Sequence, residues 1–142
     1  MMRFILYTLF MVMISGAAMA CTCVQPTTDM AKQSYDDADV VINATIINNS
    51  EGWNGAGALL KLKINDIFKG ENLPSEIMAN YNNNTAACGN NFNEGQDYNL
   101  GLYDTRSLIL TDANTRGYGF RIMISCVQSQ IQYHLNNIKK DK

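Results

Sequence analysis

Cys21-Thr22-Cys23-Val24-Gln25-Pro26 is the stretch of sequence on which the rest of the chain depends. The residues before it have the three parts of a secretory signal peptide: the positive Arg3, an apolar run over residues 4–14 and the cleavage motif Ala18-Met19-Ala20. We therefore predict that residues 1–20 are a signal peptide and that residues 21–142 form a single domain. Cleavage makes Cys21 the first residue of the mature chain, with a free α-amine.

The cysteines indicate how this terminus is held. Cys21 and Cys23, which are separated by one residue, lie on the same face of an extended strand. We expect each of them to bond a distant cysteine rather than the other. The sequence offers two others, Cys88 and Cys126. Four cysteines behind a signal peptide predict two disulfide bonds, with three connectivities possible from the count alone. Two bonds would fix the terminal segment rigidly to the body of a secreted or periplasmic protein.

Charge and hydropathy argue against two classes of partner. Loss of Arg3 with the signal changes the net charge from −2 to −3, and the one basic run is Lys139-Lys140, so no nucleic acid is expected to bind. No later apolar run approaches the length of a stable membrane span. A lipid anchor on Cys21 is an alternative, although Ala18 and Met19 fit a lipoprotein signal poorly. We expect a monomer.

Hydrophobic periodicity predicts five or six short strands between two helices. After the helix start Thr27-Thr28-Asp29, a helix is expected over residues 30–35, and Val127, Ile131, Leu135 and Ile138 recur at helical spacing after Cys126. Alternating or β-branched runs predict strands over residues 40–48, 58–68, 77–81, 98–102, 108–110 and 120–126, with loops over 49–57 and 82–94. In the last strand Ile124 is expected to face inward and Met123 outward.

This order of elements predicts an all-β fold with flanking helices. Short strands at such spacing are typical of a small closed or partly open β-barrel. A two-sheet sandwich is the alternative, because periodicity alone does not separate the two architectures.

The side chains do not form a recognisable set for catalysis, so no enzymatic activity is expected. His134 is the single histidine. A Cys–His nucleophilic pair would need a free thiol, but all four cysteines are expected to be in disulfide bonds. The location of His134 in the last helix favours a partly exposed structural residue. Cys-x-Cys with one histidine offers too few ligands for a structural zinc site. Asp36, Asp37 and Asp39 are interpreted as solvated residues at a helix end.

The predicted N-terminus does have a chemistry of its own. The α-amine and carbonyl of Cys21 can form a five-membered chelate with one metal ion, and an α-amine pKa near 8 makes the deprotonation inexpensive at neutral pH. A catalytic zinc held by three protein ligands keeps one position open for water. A rigid terminal residue could displace that water and block the site, while Thr22 entered the neighbouring pocket.

The residues of this terminus resemble the N-terminus of the tissue inhibitors of metalloproteinases. The resemblance rests on Cys-Thr-Cys-Val-x-Pro at residues 21–26 and continues through Asp39-Val40-Val41-Ile42, the run Lys63-Ile64-Asn65-Asp66-Ile67-Phe68-Lys69-Gly70, and Ala87-Cys88-Gly89. It implies a five-stranded, OB-fold-like (netrin-like) barrel that inhibits zinc metalloendopeptidases, with no cofactor of its own. It also implies the disulfide bonds Cys21–Cys88 and Cys23–Cys126. Asn richness and the simple signal favour a bacterial member.

Carried over by this resemblance, the inhibitory ridge consists of Cys21, Thr22, Cys23, Val24, Gln25, Ala86, Ala87 and Cys88. Cys21 would bind the zinc of the target protease through its amine and carbonyl, and Thr22 would enter the specificity pocket. We expect the chain to depart from the family pattern in having no third disulfide bond, since Gln33 or a neighbour stands where the family has a cysteine, and no C-terminal domain. A netrin-like binding module without inhibitory activity remains the alternative function.

Overall fold

The computed structural model describes residues 23–51, 57–84, 88–106 and 119–139, with residue 51 described by its backbone alone. Within these residues the elements are α1 (Thr28–Asp37), β1 (Val40–Glu51), β2 (Ala58–Lys69), β3 (Glu76–Tyr81), β4 (Asp97–Asp104), β5 (Phe120–Ile122) and α2 (Ser125–Ile138). The predicted signal peptide, Cys21, Thr22, Ala86, Ala87 and the predicted strand at 108–110 lie outside the described residues.

The five strands form a closed barrel in the order β1-β2-β3-β5-β4. β4 pairs with β1, which closes the sheet, and β3–β5 is the parallel pair among otherwise antiparallel neighbours. Closure leaves every strand with two partners and so removes exposed sheet edges. The predicted all-β, OB-fold-like barrel with flanking helices is therefore confirmed, and the sandwich alternative is wrong.

Alternation in the strands follows the prediction because one face of each strand fills the barrel. The buried interior side chains of β2 and β3 are Ala58, Leu60, Leu62, Ile77, Ala79 and Tyr81. Their neighbours on the outer face include Lys61 and Glu76, which form an ion pair at 2.7 Å. A period of two thus places the apolar residues inside and the charges in solvent.

A second apolar cluster joins the helices to the outside of the barrel. It consists of Ala38, Val41, Met123, Ile131 and Leu135, all of which are buried. Helix α2 packs tightly on β4 at Gly101, where an added Cβ atom would lie 2.2 Å from Cδ1 of Ile131. The absence of a side chain at residue 101 is therefore what lets α2 lie directly on β4.

Helix α1 begins as the sequence predicts. Thr27 is the N-cap, and its Oγ1 accepts a hydrogen bond from the Met30 amide at 3.3 Å. The helix continues two residues beyond the expected end, to Asp37, and the Ala38 amide then donates to the Ser34 carbonyl. Ser34 also hydrogen-bonds to Gln130 of α2, which ties the two helices together.

The predicted loop over 49–57 is partly wrong, because β1 continues to Glu51. Asn49 and Ser50 pair with Leu60 and Leu59 across the ladder. The Asn49 side chain also donates to the Phe92 carbonyl at 2.8 Å. Cross-strand pairing and this side-chain bond outweigh the low strand propensity of asparagine and serine.

The predicted strand over 120–126 is also wrong in its second half. β5 ends at Ile122, Met123 is 2% exposed and Ile124 is 46% exposed, the reverse of the expected alternation. The chain turns into α2 here, and the Met123 side chain fills the space between that helix and the barrel. Because α2 begins at Ser125, Cys126 lies in its first turn rather than before it.

We predict that Gly101→Ala lowers the free energy of unfolding by about 1–3 kcal/mol, because the new methyl group would displace the buried side chains of Ile131 and Met123 between α2 and β4. Urea titration would measure the loss. Gly119→Ala is the matched control, since the atoms that its Cβ would meet belong to the flexible side chain of Arg106. Equal stability of the two variants would contradict this account of the helix–barrel contact.

Candidate functional site

The first described residue, Cys23, is bonded to the first turn of α2. Its disulfide partner is Cys126, and the two Cα atoms are 5.2 Å apart. The predicted Cys23–Cys126 bond is confirmed. It spans 103 residues of sequence, so a segment at the predicted mature N-terminus is fixed to an element at the far end of the chain.

Val24 and Gln25 lie between two anchors. Cys23 is held by its disulfide bond on one side, and Thr27 caps α1 on the other. Val24 is 68% exposed, the largest value among the exposed large hydrophobic residues described, and Gln25 is also exposed. A short segment fixed at both ends therefore presents an apolar and an amide side chain to solvent.

The segment around Cys88 is held by its own backbone geometry. Cys88 has a positive φ of 57° and takes part in a disulfide bond. The Gly89 amide donates to the Asn84 carbonyl at 2.8 Å, and an added Cβ atom at Gly89 would lie 2.5 Å from the Asn82 carbonyl oxygen. The Cys-Gly pair noted in the sequence thus has a local reason, because only glycine fits beside these carbonyl groups.

The Cys88 segment and the Cys23 segment meet on the same turn of helix. The Ser125 amide and hydroxyl both donate to the Cys88 carbonyl at 3.2 Å. The N-cap residue of α2 is Ile124, which makes no side-chain cap bond, so the Cys88 carbonyl takes the place of a capping side chain. Cys126, the next residue, carries the bond to Cys23.

Two described members of the predicted ridge, Cys23 and Cys88, therefore reach the same turn of α2, and Val24 and Gln25 directly follow Cys23 in the chain. The other four, Cys21, Thr22, Ala86 and Ala87, lie outside the described residues. Sequence reasoning missed Ser125 and Asn90, which hold the Cys88 segment in place. The only feature of the sequence that could have pointed to Ser125 is its position directly before Cys126. Nothing in the sequence distinguished Asn90 from the other asparagines of its loop.

The loop over 82–94, which was expected to be polar and without periodicity, is well packed at two of its residues. Asn90 is 7% exposed and donates from Nδ2 to the Met123 carbonyl at 2.9 Å. The ring of Phe92 is buried between Tyr81 and Tyr98, with both ring-centroid distances at 5.1 Å in edge-to-face geometry. The side of the loop that follows Cys88 is therefore part of the core.

The other titratable side chains considered in the sequence analysis, His134, Asp36 and Asp39, contact neighbouring residues of the fold. His134 packs against the ring of Tyr35, with centroids 4.8 Å apart. A hydrogen bond from Lys32 holds the pKa of Asp36 below its usual value. Asp39 accepts a hydrogen bond from the Asp104 amide at 2.9 Å. In the described parts of the chain, no three His, Cys, Asp or Glu side chains are grouped to hold a metal ion.

Comparison with models of known protein families found no match, and comparison with curated proteins found no significant match. Among the described helices, none has the length and apolar character needed to cross a membrane.

Replacing both Cys23 and Cys126 by serine should lower the free energy of unfolding by about 2–5 kcal/mol, because the bond closes a loop of about a hundred residues. Denaturant unfolding of the oxidised protein and the double variant would measure this difference. A loss below about 1 kcal/mol would mean that other contacts, and not this bond, hold the terminal segment on α2.

Proposed function

We propose that the protein is a secreted inhibitor of zinc metalloendopeptidases that acts through the N-terminus of its mature chain. In this proposal Cys21 is the first residue, and its α-amine and carbonyl bind the catalytic zinc of the protease in place of water. Thr22 enters the adjacent specificity pocket, and Cys23, Val24 and Gln25 lie along the cleft. Ala86, Ala87 and Cys88 contact the other side of the cleft.

The observation that carries the proposal is the meeting of two distant segments on the first turn of α2. Cys23 reaches this turn through its bond to Cys126, and Cys88 through two hydrogen bonds from Ser125. The segments that the sequence resemblance selects as one inhibitory surface are thus neighbours in space. A surface built from both could fill a protease cleft from two sides.

The cysteine count supports the remaining bond. Cys88 is disulfide-bonded, and Cys23 and Cys126 are bonded to each other. Cys21 is the one other cysteine in the sequence, so we propose the pair Cys21–Cys88. This bond would fasten the zinc-binding residue to a segment whose backbone is already clamped by Asn84 and Ser125.

Rigidity is what would make such a terminus an effective inhibitor. A flexible terminus loses much of its binding free energy when it becomes ordered in the complex. Here the exposed residues Val24 and Gln25 lie between a disulfide bond and a capped helix, so little freedom is left to lose. Val24, being apolar and highly exposed, offers surface that a protease cleft could bury.

We predict that one alanine added before Cys21 weakens inhibition by roughly a thousandfold or more, which in practice abolishes it. The added residue turns the Cys21 amine into an amide, which is a very poor zinc ligand. Loss of the chelate costs several kcal/mol of binding free energy, and each loss of about 1.4 kcal/mol lowers the affinity tenfold. Inhibition constants of the native and extended proteins against a panel of zinc endopeptidases would test this prediction.

Two controls complete the experiment. An alanine added after Lys142 gives a chain of the same length and composition with its N-terminus intact, and circular dichroism checks the fold of both proteins. Mass spectrometry of the secreted protein, with a non-reducing peptide map, shows whether Cys21 is the free first residue and bonds Cys88. If the N-terminally extended protein inhibits as well as the native one, the terminus does not act on zinc. The binding-module alternative would then be favoured.

Thr22→Gly should change selectivity among proteases while leaving the melting temperature nearly unchanged. In the proposal its side chain contacts the protease pocket, and such pockets differ in depth from one enzyme to another. Inhibition constants against several zinc endopeptidases should therefore shift unequally. An equal loss against every enzyme, or a marked fall in melting temperature, would contradict the role given to Thr22.

A further inference from the structure

The two described segments of the proposed surface are also connected beneath it, through the backbone carbonyl of Met123. This carbonyl accepts a hydrogen bond from Nδ2 of Asn90 at 2.9 Å and another from Nε2 of Gln128 at 3.2 Å. Asn90 follows Cys88 and Gly89 in the first segment, and Gln128 lies on α2, two residues after Cys126. One backbone oxygen thus links the loop of one segment to the helix that anchors the other.

Gln128 is itself fixed to the barrel. Its Oε1 accepts from the Gly101 amide and its Nε2 donates to the Gly101 carbonyl, both at 2.8 Å. The side-chain amide therefore pairs with the backbone of β4 as a further strand would. The Met123 amide donates to the same Gly101 carbonyl at 3.1 Å. The start of α2 is held against β4 by these bonds as well as by the apolar contact of Ile131.

Burial makes the Asn90 bond specific. Asn90 is 7% exposed, and its backbone amide donates to the Asn82 carbonyl at 2.8 Å. A buried amide group that loses its partner keeps the full cost of desolvation, so the side chain strongly prefers the position in which the Met123 carbonyl accepts its hydrogen bond. The position of Asn90 in turn sets that of Cys88, two residues earlier, whose carbonyl caps α2.

We infer that Asn90 and Gln128 are positioning residues of the proposed inhibitory surface. Acting on the Met123 carbonyl from two sides, they set the location of the Cys88 segment relative to the turn of α2 that holds Cys23. Neither side chain needs to touch the protease. The inference rests on the proposed function for its effect on inhibition, whereas the placement of the two segments is a property of the free protein.

The test compares two asparagine-to-alanine variants of the mature protein. Asn90→Ala removes the donor to Met123, at the start of α2. Asn99→Ala is the control, because Asn99 donates to Gln132 in the middle of the same helix at 2.8 Å and accepts from Asn43 of β1 at 2.9 Å. Both of these partners lie outside the Cys23 and Cys88 segments. Leu135→Ala is a second control that lowers stability from the far end of the helix. Gln128→Leu repeats the test should Asn90→Ala fail to fold.

Two measurements are made on each protein at a temperature where all are folded. Dissociation rates from a zinc endopeptidase that the native protein inhibits should rise about tenfold for Asn90→Ala, the change expected for one buried hydrogen bond. They should rise at least as much for Gln128→Leu, which loses its two bonds to Gly101 as well as the bond to Met123, and stay unchanged for both controls. Hydrogen exchange of the Gly89 and Ser125 amides in the free protein should accelerate in the first two variants alone.

Each outcome decides a separate point. If dissociation rates simply follow melting temperature across all four variants, Asn90 and Gln128 are ordinary structural residues and the inference is wrong. Unchanged amide exchange in Asn90→Ala and Gln128→Leu would also overturn it. If the native protein inhibits no zinc endopeptidase, the proposed function fails, and the exchange measurements still decide whether these two residues position the segments.

Discussion

The Cys23–Cys126 disulfide bond is the constraint on which the arrangement of this protein depends. It joins the first described residue to the first turn of the last helix, across 103 residues of sequence. The barrel lies between these two points in the chain, and its closure brings them to the same end of the molecule. The exposed residues Val24 and Gln25, which follow Cys23, are thereby attached to a folded element.

The first turn of α2 combines several weaker interactions at the same place. The helix has no capping side chain, and the Cys88 carbonyl accepts from Ser125 instead. Gln128 fastens the turn to Gly101 of β4, and Asn90 fastens the Cys88 loop to Met123. Because each bond uses a group that the others hold in position, the loop, the turn and the terminal segment are expected to order together.

This arrangement gives a physical account of how a small barrel could present a rigid, extended edge to a protease. The barrel supplies a fixed base through its filled interior, and Gly101 lets α2 lie close to that base. The helix then holds the Cys88 segment and, through Cys23, the exposed residues Val24 and Gln25. Pre-organisation of this kind lowers the entropy cost of association, which is the main obstacle for a binding segment as short as residues 23–25.

Much of the fold could be predicted from the sequence by itself. The alternation through Leu60 and Leu62, the cap at Thr27 and the helical spacing of Ile131 and Leu135 are local patterns, and each predicted its element. Where the local preference of the residues was weak or opposed the observed conformation, only the tertiary structure decided which conformation the chain adopts. Asn49 and Ser50 join a strand because Leu59 and Leu60 pair with them, and Met123 turns inward because α2 covers it. Asn90 looks like any other asparagine of its loop until folding buries it and brings the Met123 carbonyl within hydrogen-bonding distance.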